Sequence, residues 1–234
     1  MNRRDFLRPR RLASAAGQIL DLVDERTRPA DAGEALLLCF ARRAMATTFE
    51  VVVPFDTPRA NEAANAALDE IDRLEAQLTV YRDTSEVSRL NQLAPYTNLV
   101  VEDGLFELLE TSARLHKESE GAFDVTAGAL IKAWGFFRGP RRVPSEEERA
   151  QALERVGMQH VVLDRGGRSV RYLKLGLEIN LGSIGKGYAL DCVAGLLRNE
   201  WNLTSALLHG GHSSVYAIGM PPGDRGTRAS GSGC

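Results

Sequence analysis

The chain reads as a mixed α+β protein with one main domain, helices early and a β-rich second half. Three observations predict this. Amphipathic segments of helical period fall mainly between residues 58 and 157. Short apolar runs bounded by glycine, asparagine or serine dominate after residue 158. The two kinds of segment do not alternate regularly, which argues against a doubly wound parallel sheet, and there is no internal repeat.

Residues 1–33 are mostly polar and charged and read as leader plus linker. Arg3-Arg4-Asp5-Phe6-Leu7 is similar to a twin-arginine export signal, although the following Leu12 to Leu20 stretch is Ala-rich and stops at Asp21. The segment points to an exported, periplasmic or inner-membrane-associated protein. A basic leader on a cytoplasmic protein is the alternative.

The main domain is expected over residues 34–220. Leu36 to Phe40 and Thr47 to Val53 read as strands. A helix from about Pro58 to Leu78 places Leu68, Ile71, Leu74 and Leu78 on one face, with Ala63, Ala64 and Ala67 allowing close approach. A second helix follows Asp103, carries Leu105, Leu108, Leu109, Ala113 and Leu115, and stops at Gly121. Ser145 and Glu148 form a capping box that opens a third, which Gly157 ends. His160 to Asp164 and Ser169 to Leu173 flank Arg165-Gly166-Gly167-Arg168 as a hairpin. Ser205 to His209 and Ser213 to Ile218 are strands about Gly210-Gly211. Residues 221–234 carry nothing apolar enough to anchor a core and read as a disordered tail.

Composition sets limits. A length of 234 residues, 44% hydrophobic and 26% charged, is that of an ordinary globular protein. A net charge of −2 gives no reason to expect nucleic-acid binding. Cys39, Cys192 and Cys234 match neither a zinc pattern nor a disulfide framework, and the first two read as buried thiols.

The most informative segment runs from Asn180 to Asp191. An apolar run, Leu175 to Leu181, reads as a strand that enters three glycines around Lys186. A helix then carries Leu190, Val193, Leu196, Leu197 and Trp201 near one face. Free amides, the positive end of the helix dipole and a lysine favour a phosphate ligand. It is not a Walker loop, because Gly187 replaces the required Ser or Thr. The same glycines also fit a turn that only lets strand and helix pack closely.

Other segments have comparable pairs of readings. Asp124 and Thr126, between Gly121 and Gly128, offer an acceptor and a donor to a ligand, or belong to a capped loop. Tyr81 suits stacking on a planar ring and Arg82 a phosphate; alternatively Asp83 or Thr84 caps a short helix there. Met45 lines an aromatic ligand or fills core. His209-Gly210-Gly211-His212 is better read as a turn than as a metal site.

Taken in order, five motifs resemble the ApbE family of FAD:protein FMN transferases. They are Met45-x-Thr-Thr-Phe, Tyr81-x-x-x-Ser-Glu-Val-Ser-Arg-Leu-Asn, Phe123-Asp-Val-Thr-x-Gly-x-Leu-x-x-x-Trp-Gly-Phe, Gly182-x-Ile-Gly-Lys-Gly-Tyr-Ala-x-Asp and Ala206-Leu-Leu-His-Gly-Gly. The resemblance covers about residues 44–220. It implies an ApbE-like α+β fold and a Mg²⁺-dependent transfer of FMN from FAD to a Thr or Ser hydroxyl of an acceptor protein, with AMP released. Carried over by position, Met45, Tyr81, Ala122, Phe123, Asp124, Asn180 and Lys186 would contact FAD. Ser183 would give Mg²⁺ an oxygen, from its main chain. Asn180 stands where many relatives have Asp, so a charge is lost there. Family members continue to a further Asp and Thr that complete the metal site, and this chain instead has its Gly/Ser/Arg tail. The expectation is therefore a truncated, impaired transferase whose catalytic residues lie outside it. A flavin-binding remnant and an FAD pyrophosphatase are the alternatives.

Overall fold

The computed structural model describes residues 36–219, and the readings for residues 1–33 and 221–234 lie outside them. β1 (Leu37–Ala44) and β2 (Thr47–Pro54) pair antiparallel from Ala44↔Thr47 to Leu37↔Pro54. Their two-residue turn is Met45-Ala46, with φ of 49° and 59°. Two positive φ values are what a tight hairpin turn requires, but Gly or Asn normally supplies them. Here a Met and an Ala do, at a cost of roughly 1–2 kcal/mol each.

β6 (Ala206–Gly210) and β7 (Val215–Ile218) complete a four-stranded antiparallel sheet in the order β1-β2-β6-β7. Strand alternation in β2 sends Phe49, Val51 and Val53 inward, each at most 1% exposed. That face is covered by α1 (Ala60–Leu78) and by α6 (Gly185–Asn199), which pack on each other as well as on the sheet. All seven residues predicted to form the inner face of α1 are buried. The turn reading of Gly210-Gly211 holds: Gly211 has φ +69°, and a Cβ there would overlap Thr47 Oγ1. Only glycine fits.

A second antiparallel sheet, β3-β5-β4, joins β3 (Leu99–Val100) to the predicted hairpin of β4 (Val161–Asp164) and β5 (Ser169–Tyr172). α3 (Asp103–Glu118) lies against β4. Its end is a Schellman motif, with Glu120 N donating to Lys117 O and Gly121 N to His116 O. The left-handed residue after the cap is thus Glu120, at φ 53°, with Gly121 following at φ 84°. α2 (Glu86–Leu93) is capped by Ser85, not Asp83 or Thr84. α4 (Gly128–Ala133) packs against α5 (Glu146–Leu153), which opens with the predicted Ser145–Glu148 capping box.

Two expectations need correction. Cys39 is exposed, because β1 is an edge strand whose outer face no described residue covers; Cys192, on α6, is half-buried. The Leu175–Leu181 segment is not a ladder strand; among the described residues it makes a single bridge, Glu178 to Ala127. Its period-two pattern is real, since Leu177, Ile179 and Leu181 are all buried. Its main-chain groups are taken elsewhere. Both polar groups of Ile179 bond to the side chain of Asn91, and Asn180 N donates to Val125 O. Among the described residues, no helix is long and apolar enough to cross a membrane.

Candidate active site

The glycine segment turns at Gly182–Ile184 and becomes α6 at Gly185. Asn180 Oδ1 accepts from Gly182 N at 2.9 Å, closing an Asx-type turn over the loop. Ile184 N and Gly185 N both donate to Leu181 O. The next two amides, of Lys186 and Gly187, find no acceptor among the described residues. They are the free donors of the helix start, at the positive end of its dipole.

Gly185 is buried, its φ is not positive, and a Cβ there would meet nothing within 4 Å. Neither backbone conformation nor close packing therefore demands a glycine at this position. Its missing side chain leaves the helix start open to a cleft. Lys186 borders the same cleft and makes no ion pair among the described residues.

That cleft, of about 270 Å³, gathers Met45, Tyr81, Asn180 and Lys186 with Gly182 and Gly185. Three elements distant in sequence supply them: the strained β1–β2 turn, the residues just after α1, and the glycine turn. Ser183 is exposed at the top of that turn, and its carbonyl accepts no hydrogen bond from the described residues. A second cleft of about 240 Å³ shares Val80 and Asn180 with the first and is lined by polar groups including Asn91, Lys132 and Glu178.

Ala122, Phe123 and Asp124 line neither cleft. Ala122 is exposed, and Phe123 packs partly buried against the core. Asp124 is committed to bonds within the protein: Oδ1 accepts from Thr126 N and Oγ1 at 2.8 and 2.6 Å, and Oδ2 accepts from Met158 N. Thr126, fully buried, accepts in turn from Gly157 N at 2.7 Å. Arg82 is exposed and lines neither cleft.

Sequence reasoning missed Glu75 and Thr79, which also border the first cleft. Neither gave a signal, because Glu75 reads as an ordinary position near the end of an amphipathic helix and Thr79 as the residue that follows it. Behind the cradle, burial pushes the Tyr188 hydroxyl above its usual range, and its hydrogen bond with Cys192 adds to the shift. The Cys192 thiol is likewise raised by burial. Among the described residues no three His, Cys, Asp or Glu side chains stand together as a metal site.

Comparison with known proteins agrees with this architecture. The profile described as the ApbE family matches residues 45–228. The chain is 28% identical over 163 residues to the FAD:protein FMN transferase of Buchnera aphidicola, covering 68% of this chain and 47% of that protein. It is 32% identical over 169 residues to the FAD:protein FMN transferase of Treponema pallidum, covering 68% and 46%. The crystal structure of the ApbE protein from Thermotoga maritima superposes with a TM-score of 0.72 at 28% identity, covering 80% of this chain and 60% of that one. The chain thus spans about half the length of the curated relatives it matches. With the profile matching most of its length, and with a mixed helix-and-sheet fold shared with solved relatives, this chain belongs to the ApbE family.

Proposed function

We propose that this chain is an FAD:protein FMN transferase that holds FAD in the first cleft. One observation carries the reading: a helix start with two free amides and Lys186, opened by Gly185 onto a cleft that also holds Tyr81 and Met45. The arrangement suits a ligand with a planar ring at one end and a pyrophosphate at the other. Amides and ammonium stabilise phosphate charge without having to move during reaction. In the proposed transfer, an acceptor Thr or Ser oxygen bonds to the FMN phosphorus as the phosphorus–oxygen bond to AMP breaks. The hydroxyl proton passes to solvent, and AMP departs with the bridging oxygen.

Bound Mg²⁺ would neutralise charge on the pyrophosphate. The Ser183 carbonyl is a hard oxygen of the type that Mg²⁺ accepts, and it would be one ligand among several. Asn180 uses its oxygen to hold the turn, so it would act by shaping the cradle. A twin-arginine-like N-terminus would suit an exported, membrane-side acceptor.

The test is to incubate the 234-residue chain with FAD, Mg²⁺ and a threonine-bearing acceptor, following acceptor mass and AMP. An FMN adduct with one AMP per adduct supports the proposal. AMP and free FMN without an adduct would make the chain a pyrophosphatase. FAD binding with neither product would make it a flavin-binding remnant, and no FAD binding would end the reading.

A further inference from the structure

The wall beside the first cleft contains a ring pair that the sequence motifs do not single out. Tyr81 and Phe137 stack with centroids 5.1 Å apart and planes 10° from parallel. Tyr81 borders the first cleft and Phe137 the second. One face of Tyr81 is therefore covered by Phe137, while Tyr81 remains 52% exposed. The pair is fixed from several directions. Arg138 donates to Tyr81 O at 3.1 Å, and the Tyr81 hydroxyl donates to Phe136 O at 3.4 Å. Lys132 Nζ and the Arg138 guanidinium lie 4.9 and 5.1 Å from the Phe137 ring centroid.

An exposed tyrosine following a helix would ordinarily sample several rotamers. Here the Phe137 ring, with cations at its own faces or edges, holds one of them. We infer that Phe137 is a positioning residue: by stacking behind Tyr81 it sets the plane against which a planar ring of FAD packs. The inference rests on the proposed FAD-holding role of the first cleft. It assigns to the loop after α4 the task of pre-orienting Tyr81, so that binding does not have to immobilise it.

The role belongs to ring shape and not to bulk, which makes it testable. Phe137 lies outside the buried core, so its substitution is expected to leave the fold intact. FAD affinity would be measured by calorimetry for the wild-type chain, Phe137→Leu, Phe137→Trp, Tyr81→Ala and the Tyr81→Ala/Phe137→Leu double variant. Phe137→Leu is expected to weaken FAD binding about 3- to 10-fold, the range of an aromatic pair. Phe137→Trp, which keeps a stacking ring, should stay within about 2-fold of wild type. Adding Phe137→Leu to Tyr81→Ala should cost nothing more, because the phenylalanine acts only through the tyrosine. Wild-type binding with Phe137→Leu unchanged, or with the two substitutions additive, overturns this inference alone. No FAD binding by the wild-type chain overturns the transferase reading, and this inference with it.

Discussion

The side chain of Asn91 grips Ile179 by both of its main-chain groups. Asn91 Nδ2 donates to Ile179 O at 2.9 Å, and Ile179 N donates to Asn91 Oδ1 at 2.8 Å. The amide thus replaces a neighbouring strand for the one segment that leads into the glycine turn. Tyr172 adds a hydroxyl donor to the same Asn91 oxygen at 3.0 Å.

Removing that clamp leaves Ile179 polar groups buried without partners. Asn91→Ala should therefore lower the unfolding free energy by about 2–4 kcal/mol. Urea denaturation measures this, and a loss below about 0.5 kcal/mol would contradict the clamp's role. On the proposed FAD-holding role of the first cleft, FAD affinity should fall as well, because the segment continues into Asn180 and Gly182.

Tyr172 links the clamp to pH. It is 1% exposed, and burial holds its hydroxyl well above the usual tyrosine range, with the Glu178 charge adding to the effect. A pKa raised by folding means that its contribution is intact below the unfolded value of about 10 and is lost as pH rises beyond it. Stability should fall above about pH 10, and Tyr172→Phe should flatten that fall. The raised Tyr188 hydroxyl keeps part of the slope in the variant. Equal slopes for both proteins would remove Tyr172 from the account.

Gly185→Ala separates a packing glycine from a ligand-approach glycine. A Cβ there meets no atom within 4 Å, and alanine favours helix. The variant should be as stable as wild type, or more so by up to about 1 kcal/mol. FAD binding should nonetheless weaken, since the methyl group enters the cleft. Thermal unfolding and FAD titration on the same sample give both answers, and undiminished FAD affinity would show that the cradle does not approach its ligand at Gly185.

The Met45-Ala46 turn stores strain at the cleft's edge. Replacing the pair by Asn-Gly should stabilise the hairpin by about 1–3 kcal/mol. The same change removes the Met45 thioether and should weaken FAD binding. Ala46→Gly alone keeps Met45, so it should raise the unfolding midpoint without that loss. A lower midpoint in Ala46→Gly would mean that the turn is not strained.

Much of the fold was legible because its signals are local. The alternation in β2, the helical period of α1, the Ser145 capping box and the turn between β4 and β5 each act within a few residues. The β1–β2 turn was not legible, because Met-Ala lacks the Asn-Gly signature and only the pairing of its strands forces the conformation. Cys39 was misread for a related reason: alternation shows that one face of β1 is apolar, but packing of α1 decides which face is covered. The cleft was partly legible. Met45, Tyr81, Asn180 and Lys186 border one cleft, Ala122 to Asp124 border neither, and Phe137 gave no signal.

Local signals place most of the helices and strands, and a helix start that carries glycines and a lysine. These follow from backbone propensity, side-chain period and capping, which need no distant partner. Contacts far apart in sequence, by contrast, keep Leu175 to Leu181 from pairing as a strand. Asn91 lies 88 residues before Ile179, and no local pattern reveals that its amide will take both main-chain groups. The same holds for the cleft. Its walls come from a hairpin turn, a helix end and a helix start, which meet because α1 and α6 bury their apolar faces against one sheet.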